Sequence, residues 1–189
     1  MRTRKIAQTI ILVAMVVVLS PIFIPLGPAK VQPFQHMANV IAGVLLGPWY
    51  AVIMATCTAI IRYSQGMGTV FAFPGGIFGA FLAGWFYRWI RALRDPSGGG
   101  EEVEAEGGEG GAPRPFWGLP LAAYGAAVGE VIGTGLIGAS VSALIVAPFI
   151  LEKTVGLTFF IFSFSASSIV GAILGLLGLG VLRRAGYWR

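Results

Sequence analysis

Groups that hold metals or move protons are scarce in this chain. Its 189 residues include one cysteine, one histidine and eight acids. Cys57 stands alone inside an apolar run, which excludes an intrachain disulfide framework and a thiolate metal site. Outside the stretch 95–115 the acids are Glu130 and Glu152, so a metal centre or a paired-carboxylate catalytic site lacks ligands. No G-x-x-x-x-G-K-[ST] occurs, and "GMGTVFAFPGG" has the glycines without the lysine or the spacing, which argues against P-loop nucleotide binding. Ser140 or Ser163 as nucleophile would have only His36 as base, and serines on apolar helices more often bond their own backbone. The chain is therefore expected to be no enzyme and to carry no cofactor.

Charge is scarce too. Only 11% of the residues are charged and 56% are hydrophobic, with a mean hydropathy of +0.82, a composition far too apolar for a soluble domain. An integral membrane protein is implied. Uncharged runs cover 6–29, 31–61 (broken only by His36), 63–87, 116–129, 131–151 and 154–182, several of them near or above the roughly 20 residues that cross a bilayer core. The first run follows Arg2, Arg4 and Lys5, as in a signal peptide, but it is long and lacks a small-residue cleavage pattern, so a retained helix is expected. Six of the eight acids lie in 95–115, "DPSGGGEEVEAEGGEGGAPRP". That composition cannot bury enough surface to order itself, and it reads as a disordered loop between an N-terminal membrane part (1–94) and a C-terminal one (116–189), one membrane domain overall. Without the loop, twelve Lys/Arg face two acids, a balance of +10 that points to membrane topology and not to nucleic acid.

Gly47-Pro48 breaks the run 37–61, because proline lacks a backbone donor and clashes with a preceding turn. If the chain reverses at "GPWY", six spans result, and ten of the thirteen basic residues fall on one side: Arg2, Arg4, Lys5, Arg88, Arg91, Arg94, Arg114, Arg183, Arg184 and Arg189. By the positive-inside rule that side is cytoplasmic, and both termini are expected there. Lys30, Arg62 and Lys153 are left outside. All five tryptophans (Trp49, Trp85, Trp89, Trp117, Trp188) fall near the inner interface. The second and third helices then rise only about 22–24 Å, short of a ~30 Å core, so they must be short or tucked. The expected fold is an all-α membrane protein, a bundle of six transmembrane helices.

Small residues recur every fourth position at Gly75, Gly79 and Ala83, at Gly125, Gly129 and Gly133, and at Ser163, Ser167, Gly171 and Gly175. Such stripes let helices approach closely, inside the bundle or against another membrane subunit. A sparse polar set gathers on the outer side: Lys30, Gln32, Gln35, His36 and Asn39, then Arg62, Tyr63 and Gln65, then Glu130 with Thr134. Glu130, about 18 Å along a helix starting near Leu119, lies at mid-membrane, where an acid faces a cavity or the bundle interior. It can be a ligand contact or a neutral acid bonded to a neighbouring backbone or to Asn39. His36 reads as a mouth residue or an ordinary interfacial one, and Asn39 as a ligand contact or a helix-joining group. Arg62 is an outer anchor or lid partner. Phe71 and Phe73 are packing residues or a stacking face for a flat ring. No second intramembrane titratable group is visible beside Glu130.

The blocks "IPLGPAKVQPFQHMANVIAGVLLGPWYAV", "GTVFAFPGGIFGAFLAG" and "GEVIGTGLIGA" resemble the ThiW family, the S components (substrate-binding membrane subunits) of energy-coupling-factor transporters assigned to the hydroxyethylthiazole precursor of thiamine. The similarity spans nearly the whole chain apart from the acidic loop. It implies six helices, cytoplasmic termini and an outward-opening site in a multi-pass protein of the prokaryotic cell membrane. The implied partners are a transmembrane coupling subunit and two ATP-binding subunits, although the first helix departs from the alanine-x-x-x-alanine docking face, with Ile11 after Ala7 and Val18 after Ala14. The expected ligand site is Glu130, His36, Asn39, Thr134, Tyr63, Arg62 and Phe73, with Glu130 accepting from a hydroxyl and the outer loop carrying His36 closing over it. Thiamine or another small vitamin is the alternative ligand, and a self-sufficient proton-coupled carrier using Glu130 is the alternative mechanism.

Overall fold

The computed structural model describes residues 2–26, 29–94, 118–152 and 154–187. The acidic segment 95–115, Lys153, Trp117, Trp188 and Arg189 lie outside them, as does the side chain of Lys30. The architecture is helical. Helix α1 spans Arg2–Leu19, α2 Pro33–Leu45, α3 Pro48–Ser64, α4 Ala72–Arg94, α5 Leu121–Ile150 and α6 Leu157–Arg184. Helices α5 and α6 are long and apolar enough to cross a membrane. The apolar run 6–29 is not helical to its end. A two-stranded ribbon, Ile24–Leu26 (β1) antiparallel to Ala29–Val31 (β2), follows α1 and pairs Ile24 with Val31.

The break at Gly47-Pro48 is real. Gly47 takes φ 88°, a conformation open to glycine, and Pro48 opens α3, where its missing N–H costs nothing. The Lys5 ammonium donates to Leu46 O at 3.3 Å, placing a cation at the C-terminal end of α2.

Pairings between helices fix their directions. Gln35 and Asn39 of α2 meet Ala72 and Gly76 of α4, while Gly43 meets Ala83 and Gly84, so α2 and α4 run parallel. Trp49 packs on Phe81 and Tyr63 on Phe73, so α3 runs against α4. Gly125 faces Ile90, Gly129 faces Leu82, Gly133 faces Phe78 and Gly138 faces Gly75, so α5 also runs against α4. Gly171 packs on His36 and Gly175 on Val40, so α6 runs with α2. Successive helices therefore alternate in direction. One end of the bundle carries Arg2, Arg4, Lys5, Arg88, Arg91, Arg94, Arg183 and Arg184, together with Trp49, Trp85 and Trp89, and Arg62 sits at the other end.

The small-residue stripes on α4, α5 and α6 are consumed inside the molecule. A Cβ on Gly133 would stand 2.4 Å from Phe78 O, and one on Gly129 2.5 Å from Leu82 O, so α5 lies backbone to backbone on α4. Such close approach replaces hydrophobic sorting as the source of helix adhesion in lipid. Buried alanines fill the remaining space around α4, among them Ala80, Ala83, Ala123 and Ala126.

Candidate functional site

Helix α5 is not a regular α-helix. It is α-helical over Leu121–Ile132, then widens to π-helix at Gly133–Gly138 and again at Ser142–Ile150. Pro148, which has no N–H to give, sits in the second widened stretch. The first begins three residues after Glu130 and contains Thr134, and such widened turns occur frequently at functional sites. Because α5 starts at Leu121, Glu130 lies nearer its start than a helix beginning at Leu119 would put it.

Glu130 is fully buried and draws three side chains onto one oxygen. His36 Nδ1 is 2.7 Å from Oε1, Asn39 Nδ2 donates to it at 3.2 Å, and Thr134 Oγ1 lies 2.9 Å away. Asn39 gives its other amide hydrogen to Gly76 O at 3.2 Å, and Thr134 Oγ1 is also 2.9 Å from Gly75 O, so its single proton serves one acceptor at a time. If neutral His36 carries its proton on Nδ1, that proton goes to Glu130 and Nε2 remains an acceptor. Within this cluster, Glu130 Oε2 and Asn39 Oδ1 are buried acceptors with no hydrogen-bond partner among the described residues.

Space for the carboxylate comes from α4. A Cβ on Gly79 would stand 2.2 Å from Thr134 Oγ1 and 2.5 Å and 2.6 Å from the two oxygens of Glu130. The acid thus occupies the volume a side chain at position 79 would need.

Arg62 donates through Nη1 to Gln35 Oε1, and Gln35 in turn donates to Ala72 O at 3.5 Å. Gln35 and Asn39 lie one turn apart on α2, and both face Gly76. Of the residues expected in a site, Glu130, His36, Asn39 and Thr134 come together directly, whereas Arg62 bonds to Gln35, one turn before Asn39. Tyr63 and Phe73 form a separate edge-to-face pair with ring centroids 6.3 Å apart, and Tyr63 is half exposed. Phe71 packs edge-on against Phe160 at 4.7 Å. The backbone N–H of Gln32 donates to Ser167 Oγ at 2.9 Å, and Gln65 is exposed.

Two expectations need correction. His36 is not a mouth residue on a closing loop: it lies in the first turn of α2 and is 7% exposed, with Gly171 of α6 packed close against its Cβ and the α2 backbone. Nor is Glu130 without a titratable neighbour, since His36 is in contact with it. Sequence reasoning left Gln35, Gly76 and Gly79 out of the site. The signal for Gln35 was its helical spacing to Asn39, and for the glycines their place in "FPGGIFG", whose stripe suits helix packing equally well.

Neither a curated protein nor a solved structure matches the chain. The family profile described as thiamine-precursor transporter protein (ThiW) matches residues 6–99 and 120–185, which include every helix except the first four residues of α1 and every residue of the Glu130 cluster. The chain belongs to the ThiW family of thiamine-precursor transporters and is a membrane protein of transport.

Proposed function

We propose that this protein is the substrate-binding subunit of an energy-coupling-factor importer and that its ligand is hydroxyethylthiazole, held through its alcohol at the Glu130 cluster. The observation that carries this reading is the pair of buried, unpartnered acceptors, Glu130 Oε2 and Asn39 Oδ1. A buried acceptor left empty costs free energy, and a ligand hydroxyl supplies the missing donor. Leading the chain to the site are apolar helices, so few polar groups fix orientation while the rest of the ligand meets apolar wall. Tyr63 and Phe73 form an edge-to-face aromatic pair at the Arg62 end of the bundle. The alternating helices and the basic end support a reading of six membrane spans with cytoplasmic termini in the cell membrane. The chain has no P-loop, so ATP-binding subunits and a transmembrane coupling subunit supply the energy. Because the small-residue stripes are used internally, a coupling subunit docks on other surface.

Calorimetric titration of hydroxyethylthiazole into the purified protein tests the reading, with thiamine as competitor. Saturable binding of the thiazole alcohol is expected, and no binding removes the assignment. The His36–Glu130 contact favours a second mechanism, a proton-coupled carrier, because it gives the acid a proton-exchanging neighbour. Uptake by the protein reconstituted alone under a pH gradient would select the carrier, and uptake only with the coupling and ATP-binding subunits would select the binding subunit.

A further inference from the structure

A furrow of about 270 Å³ runs along the seam between α5 and α6, and every side chain that lines it is apolar. Ala127 and Ala172 are its buried floor, while Val128, Ile169 and Ile173 stand about half exposed beside them as rims. The small residues leave the space and the branched ones wall it. Both helices are apolar enough to cross a membrane, so what meets the furrow there is lipid or another helix. An apolar cavity of about 150 Å³ already holds benzene, so a longer hydrocarbon chain finds room, whereas a helix about 10 Å across would rest on the rims without reaching the alanines. An unfilled furrow forfeits dispersion contacts on one side.

Helical register carries the furrow to the basic end of the bundle. On α6 the face of Ile169, Ile173 and Leu176 continues through Gly180 to Arg183 and Arg184. Gly180 is buried, yet nothing lies within 4 Å of where its Cβ would stand, so the way to the arginines is open. Those arginines stand about 10–22 Å along α6 from the furrow lining, against roughly 15 Å for the hydrocarbon of one leaflet. Arg183 Nη1 donates to Gly118 O, which holds its guanidinium across the seam at the start of α5. A carbonyl leaves the charge and the other donors free, and neither arginine has a carboxylate partner among the described residues. We propose that the α5–α6 furrow is the site of one anionic phospholipid of the leaflet that the basic end faces, with an acyl chain over Ala127 and Ala172 and its phosphate at Arg183 and Arg184. Basic sites between transmembrane helices take such headgroups. The site requires α5 and α6 to cross a bilayer and is independent of the ligand at Glu130.

The test is thermal unfolding of the full chain in detergent, titrated with dioleoyl phosphatidylglycerol, with dioleoyl phosphatidylcholine and dihexanoyl phosphatidylglycerol alongside. The melting temperature is expected to rise saturably with the first lipid, by about 3–6 °C at ten times the half-saturating concentration. Phosphatidylcholine should need about fivefold more or higher, and Arg183→Gln/Arg184→Gln should lose that preference. The short-chained lipid should give no rise, and Ala172→Leu, which fills the floor, should abolish the rise with either dioleoyl lipid. Equal half-saturation with phosphatidylcholine, the outcome if the acidic segment 95–115 already occupies the arginines, overturns the anionic headgroup, as does an unchanged preference in the double variant. An equal rise with the short-chained lipid overturns the acyl site. No rise with any lipid overturns the whole proposal and leaves the furrow to a partner helix. If Ala172→Leu fails to fold, phosphatidylglycerol with a photoreactive diazirine on its acyl chain decides on the wild type: crosslinks concentrated on the furrow lining support the site, and labelling spread evenly over the helices overturns it.

Discussion

His36 Nδ1 and Glu130 Oε1 stand 2.7 Å apart although 94 positions separate them in the chain. The contact ties α2 to α5, with Gly79 of α4 leaving room for the carboxylate and Gly171 letting α6 approach α2 at His36. A titratable pair so placed joins the fold and the proposed ligand chemistry, so mutations there must be read by binding and by stability together.

Glu130→Ala should weaken hydroxyethylthiazole binding by about one to two orders of magnitude, since a hydrogen bond to a charged buried acceptor contributes roughly 1.5–3 kcal/mol. Glu130→Gln keeps an acceptor and should lose less. Calorimetry with melting curves alongside checks this: unchanged affinity in both variants, with lowered melting temperature, would leave Glu130 a purely helix-joining group.

Gly79→Ala should impair the site without replacing any polar side chain. The new methyl would fall 2.2–2.6 Å from Thr134 Oγ1 and both carboxylate oxygens, so Glu130 must rotate out of its bonds with His36 and Asn39. Affinity should drop by about tenfold or more, as with loss of one buried hydrogen bond to a charged group. Wild-type affinity in Gly79→Ala would show that the carboxylate position is irrelevant to binding.

Two glycines should respond to alanine with opposite signs. At Gly133 the Cβ would stand 2.4 Å from the Phe78 carbonyl oxygen and 2.8 Å from Gly79 Cα, backbone that no rotamer change removes. Overpacking there should cost about 1–3 kcal/mol. At Gly180 nothing lies within 4 Å of the added carbon, so alanine should be neutral or stabilise α6 by up to about 1 kcal/mol. Thermal unfolding of the two variants, compared with wild type, measures both.

Replacing residues 96–113 by a short Gly/Ser linker should leave ligand affinity unchanged. The segment joins α4 to α5 at the basic end, and the Arg62 end of the bundle is opposite. Titration of the shortened protein checks the expectation, and a collapse of affinity would place the site on the wrong face.

Glu130 was singled out by cost alone, since a carboxylate in an apolar run demands a partner wherever the helix packs. Asn39 was legible for the same reason, as one of its possible partners. Gln35 and the glycines were harder to read. A glutamine near a helix start suits solvent as well as burial, and glycines at every fourth position look the same whether they receive a neighbouring backbone or a carboxylate. His36 was misplaced because an imidazole is at home at an interface, and its burial depends on how closely α6 packs on α2 at Gly171.

Sequence by itself determined the local and compositional matters: the membrane class, the reversal at Gly47-Pro48, the helix count, and the concentration of basic residues that a topology must accommodate. These depend on single residues or on sums along the chain, so no packing is needed to read them. Tertiary structure decided which polar groups meet. Whether His36, Asn39 and Thr134 converge on one oxygen of Glu130 depends on how closely α2, α4 and α5 approach, and on the widened turn that holds Thr134 between Gly75 and the acid. A hydrogen bond is lost over a shift of about 1 Å, and no pattern along a chain specifies the separation of helices to that tolerance.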